Sequence, residues 1–167
     1  MTTLALDSSL PSGGWKLYIH PAKETRWHID TFRTIATIKT YRDLANIFAA
    51  ITPTDWSRGK FFFTPEDVPP LMENSRNIRG GSYSIRIDRA MAGDVMQKYI
   101  VAAIHGLCLK PEDLISCIRI TPRRDFNILQ VWNRDCQKYH NPTDLAILDT
   151  SVPSGEVKYM PHVEKKI

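Results

Sequence analysis

The segments with a regular pattern are mostly short and β-like, and this constrains the fold of the 167-residue chain more than any other feature. They are runs of four to eight residues rich in β-branched and aromatic side chains, which is typical of strands. Prolines and polar clusters separate them. The predicted strands are 15–19, 31–38, 60–63, 81–87, 114–120, 128–132 and 157–160.

Two longer segments have the spacing of amphipathic helices. The first covers residues 40–51, where Thr40 and Asp43 have the spacing of a capping box. The second covers residues 93–109, and a weaker third candidate covers 141–148. Runs of strands with about three helices predict an α+β domain with a curved, mostly antiparallel sheet and the helices on one face.

The composition suits one globular domain. Apolar residues make up 43% of the chain, and the net charge of +4 permits an anionic partner without requiring one. We expect a flexible tail over residues 1–14 and a single domain over 15–167. The odd number of cysteines and the absence of long apolar segments predict reduced thiols in a soluble, cytoplasmic protein. The cysteines are Cys108, Cys117 and Cys136.

The sequence contains no recognisable catalytic motif. It has no P-loop, no dinucleotide-binding fingerprint, no metalloprotease motif and no nucleophile beside a base. His105 lies in an apolar helical pattern, which favours a buried, hydrogen-bonded histidine. We therefore expect a protein that is not an enzyme and has no cofactor or metal.

Several side chains suited to ligand binding lie in polar segments. Trp27 and Trp56 are aromatic residues in polar loops, and Glu73 is an isolated loop carboxylate. Arg119, Arg123 and Arg124 surround one hairpin turn, where they suit phosphate oxygens. Together they match a phosphorylated, positively charged purine, since a carboxylate can accept both N1–H and N2–H of 7-methylguanine. The alternatives are that Trp27 covers the edge of the core and that the arginines lie in a solvated turn.

Four segments carry a resemblance to a known family. Over most of residues 15–162, the chain resembles the eukaryotic translation initiation factor 4E cap-binding family. The similar segments are KTYRDLANIF, VPPLMENSRNIRGGSYSIRI, ISCIRITPRRDFNILQVWNRDC and VKYMPH. The resemblance implies a curved sheet with the helices on its convex face and the cap site on the concave side.

The resemblance also implies roles for individual residues. In the base site, Trp27 matches the first stacking tryptophan, Glu73 the guanine-binding glutamate and Trp132 the tryptophan at the methyl group. Met72 replaces the second stacking tryptophan, and we hypothesise that Trp56 supplies the missing aromatic ring. The residues implied for phosphate binding are Arg123, Arg124 and His162.

A second implied site is a docking surface for a scaffold or regulatory protein. Ala45 occupies the position of the family's central tryptophan, and Val101 replaces an acid. The surface remains apolar enough for an amphipathic partner helix. The alternative is that Tyr41 and Val101 are ordinary half-buried residues. The implied surface residues are Tyr41, Leu44, Ile100, Val101 and Ile104.

The resemblance therefore implies a monomeric protein that binds the 7-methylguanosine cap of mRNA. It would recruit a scaffold protein for translation initiation. Two alternatives remain open: a translational repressor or divergent paralogue that binds caps without supporting initiation, and a protein-interaction domain with a degraded nucleotide pocket.

Overall fold

The structure is a computed structural model that describes residues 5–109, 115–152 and 154–163. Its described residues form a seven-stranded sheet with the strand order β2-β1-β3-β5-β6-β4-β7, and all of the neighbouring pairs are antiparallel. The strands are β1 Trp15–His20, β2 Arg33–Ile38, β3 Lys60–Pro65, β4 Gly81–Asp88, β5 Ile115–Pro122, β6 Phe126–Asn133 and β7 Lys158–Pro161. The helices are α1 Tyr41–Ala50 and α2 Ala92–Ile104.

The predicted α+β class and curved antiparallel sheet are confirmed, and each predicted strand lies within two residues of an observed one. Alternation of side chains along the strands separates the sheet into two faces. The helix-side face carries the main core, to which α1 and α2 contribute. The other face, here the open face, carries a smaller cluster of Tyr18, Phe32, Phe62, Cys117 and Trp132.

The first helix begins as the sequence predicts. The Thr40 side chain accepts a hydrogen bond from the Asp43 N–H, and the Asp43 carboxylate accepts one from the Thr40 N–H. The prediction of a third helix over residues 141–148 is wrong, because only a single 3₁₀ turn forms there, at Pro142–Asp144. A capping box between Asn141 and Asp144 closes this turn, and the chain leaves it at Leu145 in an extended conformation.

The tail predicted for residues 1–14 is wrong for residues 5–14. Leu10 is buried in the main core, and the Asp7 carboxylate pairs with Arg42 of α1 at 2.7 Å. Ser9 also forms a β-bridge with Thr40. An apolar anchor and local pairing therefore hold this segment against α1, while residues 1–4 lie outside the described part of the chain.

The cysteine thiols are free, as predicted. Cys108 and Cys117 are buried, and burial raises the pKa of both thiols, whereas Cys136 is half-buried. In the described part of the chain, neither helix has the length and apolar character needed to cross a bilayer.

Candidate functional site

The open face contains a cavity of about 310 Å³ that collects residues from five separate parts of the sequence. Of the predicted base-site residues, all but Trp56 line it. The cavity is small for a ligand site, so it has room for a ring rather than for a whole nucleotide. The lining residues used below are Trp27, Phe62, Met72, Glu73, Arg119 and Trp132.

Trp27 is positioned by the loop between β1 and β2. The buried ring of His20 stacks on the indole at 4.2 Å between centroids, with 6° between the planes. His20 Nε2 and Thr31 Oγ1 both donate to the carbonyl of Arg26, at 2.9 and 3.1 Å, and fix the backbone before Trp27. The tryptophan is 41% exposed although His20 covers one ring face, so part of the indole remains accessible at the cavity.

Met72 and Glu73 lie in a loop that is held by a buried amide. The Asn77 side chain is fully buried, and its Nδ2 donates to the carbonyls of Pro69 and Leu71 at 2.8 and 2.7 Å. These two bonds fold the loop back on itself. Met72 therefore packs half-buried against the aromatic cluster of the open face, while the Glu73 carboxylate remains exposed at the cavity.

Trp132 forms the floor of the cavity. It is only 1% exposed, its Nε1 donates to Gln130 Oε1 at 3.2 Å, and its ring packs edge-on against Phe62. A ring so deeply buried cannot act as a second stacking plate for a ligand. It offers a small apolar contact, which is what a methyl substituent needs.

The phosphate role predicted for His162 is wrong. Its Nδ1 donates to the Asn77 carbonyl and its Nε2 accepts from the Ser82 hydroxyl, both at 2.8 Å. Burial lowers its pKa, although the bond to Asn77 opposes this shift. With both ring nitrogens engaged and the ring edge-on to Trp132 at 5.0 Å, His162 ties the Asn77 loop to β4 instead of facing an anion.

The structure places two cations, Arg119 and Lys60, beside the base site, to which the sequence analysis did not assign them. Arg119 Cζ lies 5.0 Å from the ring centroids of both Trp27 and Phe62, and Lys60 Nζ lies 4.9 Å from that of Trp27. Burial and the nearby charge of Arg123 lower the pKa of Arg119 to about 10, and burial also lowers the pKa of Lys60. With a pKa of about 10, Arg119 remains protonated at neutral pH, so the cavity rim attracts anions.

The predicted phosphate arginines are exposed at the β5–β6 turn. Arg123 is close enough to Lys60 and Arg119 to lower the pKa of each, so these three residues form one cationic group, here the rim cations. The described contacts do not join Arg124 to the cavity. Strand alternation could have placed Arg119 at the cavity, since Arg119 pairs with Phe62 and both side chains point to the open face.

The hypothesis that Trp56 supplies a ring to the site is wrong. Trp56 is 0% exposed and packs against Phe61 at 4.9 Å in the core on the helix side of the sheet. Phe61 and Phe62 are consecutive on β3 and point to opposite faces, so a residue that packs on Phe61 is separated from the cavity by the sheet. Trp56 therefore does not supply the aromatic ring that is lost where Met72 replaces a tryptophan.

The predicted partner surface is only partly accessible. Leu44, Ile100 and Ile104 point into the main core, so their assignment to the surface is wrong. Val101 is 39% exposed and lines a groove of about 640 Å³ that also includes Phe48 and Leu107. Helical periodicity identified the correct helices but not which of their apolar residues face outward.

His105 is also exposed, which corrects its predicted burial. Its Nδ1 donates to the carbonyl of Val101 at 2.8 Å, and the Tyr41 hydroxyl donates to its Nε2 at 3.0 Å. These bonds link the start of α1 to the end of α2. Tyr41 is half-buried and takes part in the surface through this contact.

Comparisons with known proteins agree with the observed fold. The family model for eukaryotic initiation factor 4E matches residues 12–165. A Caenorhabditis elegans eIF4E-3, solved with the 4E-binding protein Mextli and a cap analog, is similar to this chain, with a TM-score of 0.73, 17% identity and 92% of each chain covered. An Ascaris suum eIF4E-3 solved with m7G cap gives a TM-score of 0.68 and 17% identity, covering 96% of this chain and 94% of that one.

A third similar structure is a schistosome eIF4E complexed with m7GpppA and 4E-BP. Its TM-score is 0.64 at 16% identity, and the match covers 78% of this chain and 74% of that one. At these identities the solved structures establish a shared fold.

Proposed function

The chain belongs to the eukaryotic initiation factor 4E family, and from that premise we propose that it binds the 7-methylguanosine cap of mRNA and recruits a scaffold protein for translation initiation. The observation that carries the proposal is the meeting of Trp27, Met72, Glu73 and Trp132 in one small cavity. The similar worm and schistosome proteins were solved with cap nucleotides and 4E-binding proteins, which supports both halves of the proposal.

The base would enter the cavity as a flat cation. Trp27 offers a partly exposed indole, on which a positively charged purine is held by stacking and by cation–π attraction. Glu73 accepts from N1–H and N2–H of guanine, a pair of adjacent donors that adenine and cytosine lack. Trp132 contacts the 7-methyl group from the floor.

The phosphates would lie outside the cavity on the rim cations. Burial is the main cause of the lowered pKa of Lys60 and Arg119, and the nearby charge of Arg123 lowers the pKa of both further, so these three cations repel one another. Binding an anionic phosphate chain relieves that repulsion. Lys60 and Arg119 lie about 5 Å from the centroid of the Trp27 ring and would repel a positively charged base. The phosphates of the same nucleotide offset this repulsion, so they contribute part of the affinity.

The test is the preference for the methylated base. We expect 7-methyl-GTP to quench tryptophan fluorescence and to bind at least about fivefold tighter than GTP, because a desolvated cation–π contact contributes about 1–2 kcal/mol. Trp27→Ala should remove most of the affinity. Equal affinity for 7-methyl-GTP and GTP would contradict methyl recognition, and absence of any binding would favour a protein-interaction domain with a degraded pocket.

Replacing Met72 by tryptophan should strengthen binding. A thioether packs on a base without the ring quadrupole that attracts a cation, whereas an indole adds both stacking and cation–π attraction. We expect Met72→Trp to tighten 7-methyl-GTP binding about fivefold, or about 1 kcal/mol, measured by calorimetric titration. The matched control is Ile78→Trp, an exposed position that does not line the cavity. Unchanged affinity in Met72→Trp would show that Met72 does not face the base.

The groove beside Val101 is the proposed docking surface for the scaffold protein. It combines apolar side chains with an ion pair between Lys98 and Asp149 at 2.7 Å, which suits an amphipathic helix. The alternative is that the chain binds caps and represses translation without supporting initiation. The identity of the protein that occupies this groove distinguishes initiation from repression.

We also propose that the chain acts in the cytoplasm and catalyses no reaction.

A further inference from the structure

The open face continues beyond the cavity as a row of side chains on β4 and β6. Ser82 pairs with Trp132, Ser84 with Gln130 and Arg86 with Ile128. Strand alternation keeps Phe126 on the same face, six residues beyond Trp132 on β6. At the usual rise per residue the row extends about 20 Å from the cavity floor to Phe126.

The far end of this row is a second concave site, here the Arg86 groove. It has a volume of about 480 Å³ and is lined by residues that include Ser84, Arg86, Phe126, Ile128, Glu156 and Lys158. Arg86 lies over the Phe126 ring with Cζ 3.8 Å from the centroid. Arg86 is exposed and Phe126 half-buried, so a flat guanidinium–aromatic pair faces solvent.

The surroundings of this pair are predominantly basic. Arg86, Arg124 and Lys158 are exposed, and among the described residues none of them takes part in an ion pair. The neighbouring acids are Asp88, which pairs with Phe126, Asp125 on the turn and Glu156 in the groove. With Arg89 and Arg123 beside the turn, the cations still outnumber the acids, and an anionic ligand is favoured over a cationic one.

The groove is continuous with the rim cations through the β5–β6 turn. The Arg123 N–H donates to the Phe126 carbonyl at 2.8 Å, and the Arg89 guanidinium donates to the Arg123 carbonyl. A phosphate chain that leaves the cavity over Arg119 and Arg123 would next meet Phe126 and Arg86. No other described groove places an aromatic ring and uncommitted cations in line with that path.

We propose that the Arg86 groove binds the first nucleotides of the RNA that follow the cap. This inference rests on the proposed function of the neighbouring cavity. A base stacks on the Phe126–Arg86 pair, and Arg124 and Lys158 contact the phosphates. Stacking and phosphate contact are sequence-independent, so the groove extends the bound RNA without selecting its sequence.

The experiment compares 7-methyl-GTP with a capped five-nucleotide RNA, because only the RNA is long enough to reach the groove. We expect the wild-type protein to bind the capped RNA about tenfold tighter. Phe126→Ala should reduce this gain to less than about threefold while 7-methyl-GTP keeps its affinity. Arg86→Gln should reduce the gain and weaken its dependence on salt. The matched control is Arg33→Gln, at an exposed position on the edge strand β2.

Equal wild-type affinity for the two ligands, or a full gain in both variants, would overturn the inference and leave cap binding intact. If Phe126→Ala misfolds and also loses 7-methyl-GTP binding, the gain in affinity for the capped RNA is judged from Arg86→Gln alone. If the wild-type protein does not bind 7-methyl-GTP, the proposed function is contradicted instead. The groove is then tested with an uncapped 5′-triphosphate RNA of the same length. RNA binding that is lost in Phe126→Ala supports the inference, and absence of RNA binding overturns it.

Discussion

Gly80→Ala is expected to lower the free energy of unfolding by about 2–4 kcal/mol and the melting temperature by about 5–15 °C. Gly80 lies between the Asn77 loop and β4, and a Cβ added there would overlap the carbonyl oxygen of Asn133. That oxygen belongs to the backbone at the end of β6, so no rotamer change can relieve the overlap. The Gly80 carbonyl also accepts from the His162 N–H at 3.0 Å, and any displacement loosens this contact.

The matched control for this prediction is Gly155→Ala. A Cβ at Gly155 meets nothing within 4 Å, so the substitution should change the free energy of unfolding by less than about 0.5 kcal/mol. Thermal and urea unfolding of both variants provide the measurement. If Gly80→Ala is as stable as the control, the close approach of the loop to β6 is not a feature of the folded protein.

Local sequence pattern was enough to predict the strands and the two helices. The runs 81–87 and 128–132 lie within the observed β4 and β6, and the Thr40–Asp43 capping box marks the start of α1. These elements are specified by alternation and capping, which are short-range properties. The failed helix at 141–148 had only a weak apolar pattern, and its capping box closes a single turn.

The structure brings Trp27, Met72, Glu73 and Trp132, which the resemblance assigned to the base site, into one cavity, and the errors concern which way a side chain faces. Trp56 lies in a polar loop, yet its indole packs under the sheet against Phe61. His162 lies near the cavity, but hydrogen bonds to Asn77 and Ser82 occupy its ring. Such partners are far apart in the sequence, 80 and 85 residues in the case of His162, so no local pattern reveals them.

The two cations beside Trp27 also depend on contacts between distant parts of the sequence. Arg119 and Lys60 become neighbours of Trp27 only when β3 pairs with β5 and the β1–β2 loop folds over them. From the sequence alone Arg119 belonged to a basic hairpin. Its cost of burial, visible in the lowered pKa, is offset by contact with two aromatic rings.

Glu73→Gln should weaken 7-methyl-GTP binding by about 30- to 150-fold, equivalent to about 2–3 kcal/mol. The carboxylate accepts two charge-assisted hydrogen bonds from the guanine edge, whereas the amide of glutamine keeps one acceptor and turns a donor toward a donor. Because Glu73 is exposed in the free protein, its own desolvation on binding limits the loss to this range. The shape of the side chain is unchanged, so the cavity itself stays intact.

The base analogue 7-methylinosine triphosphate isolates the contact, since it lacks the 2-amino group. The wild-type protein should prefer 7-methyl-GTP over this analogue by about tenfold, and Glu73→Gln should abolish the preference. The matched control is Glu66→Gln, which makes the same change in net charge outside the cavity and should keep the wild-type preference for 7-methyl-GTP. If Glu73→Gln retains the wild-type preference for the 2-amino group, the guanine edge is bound by another residue, and the orientation of the base between Trp27 and Met72 must be reversed.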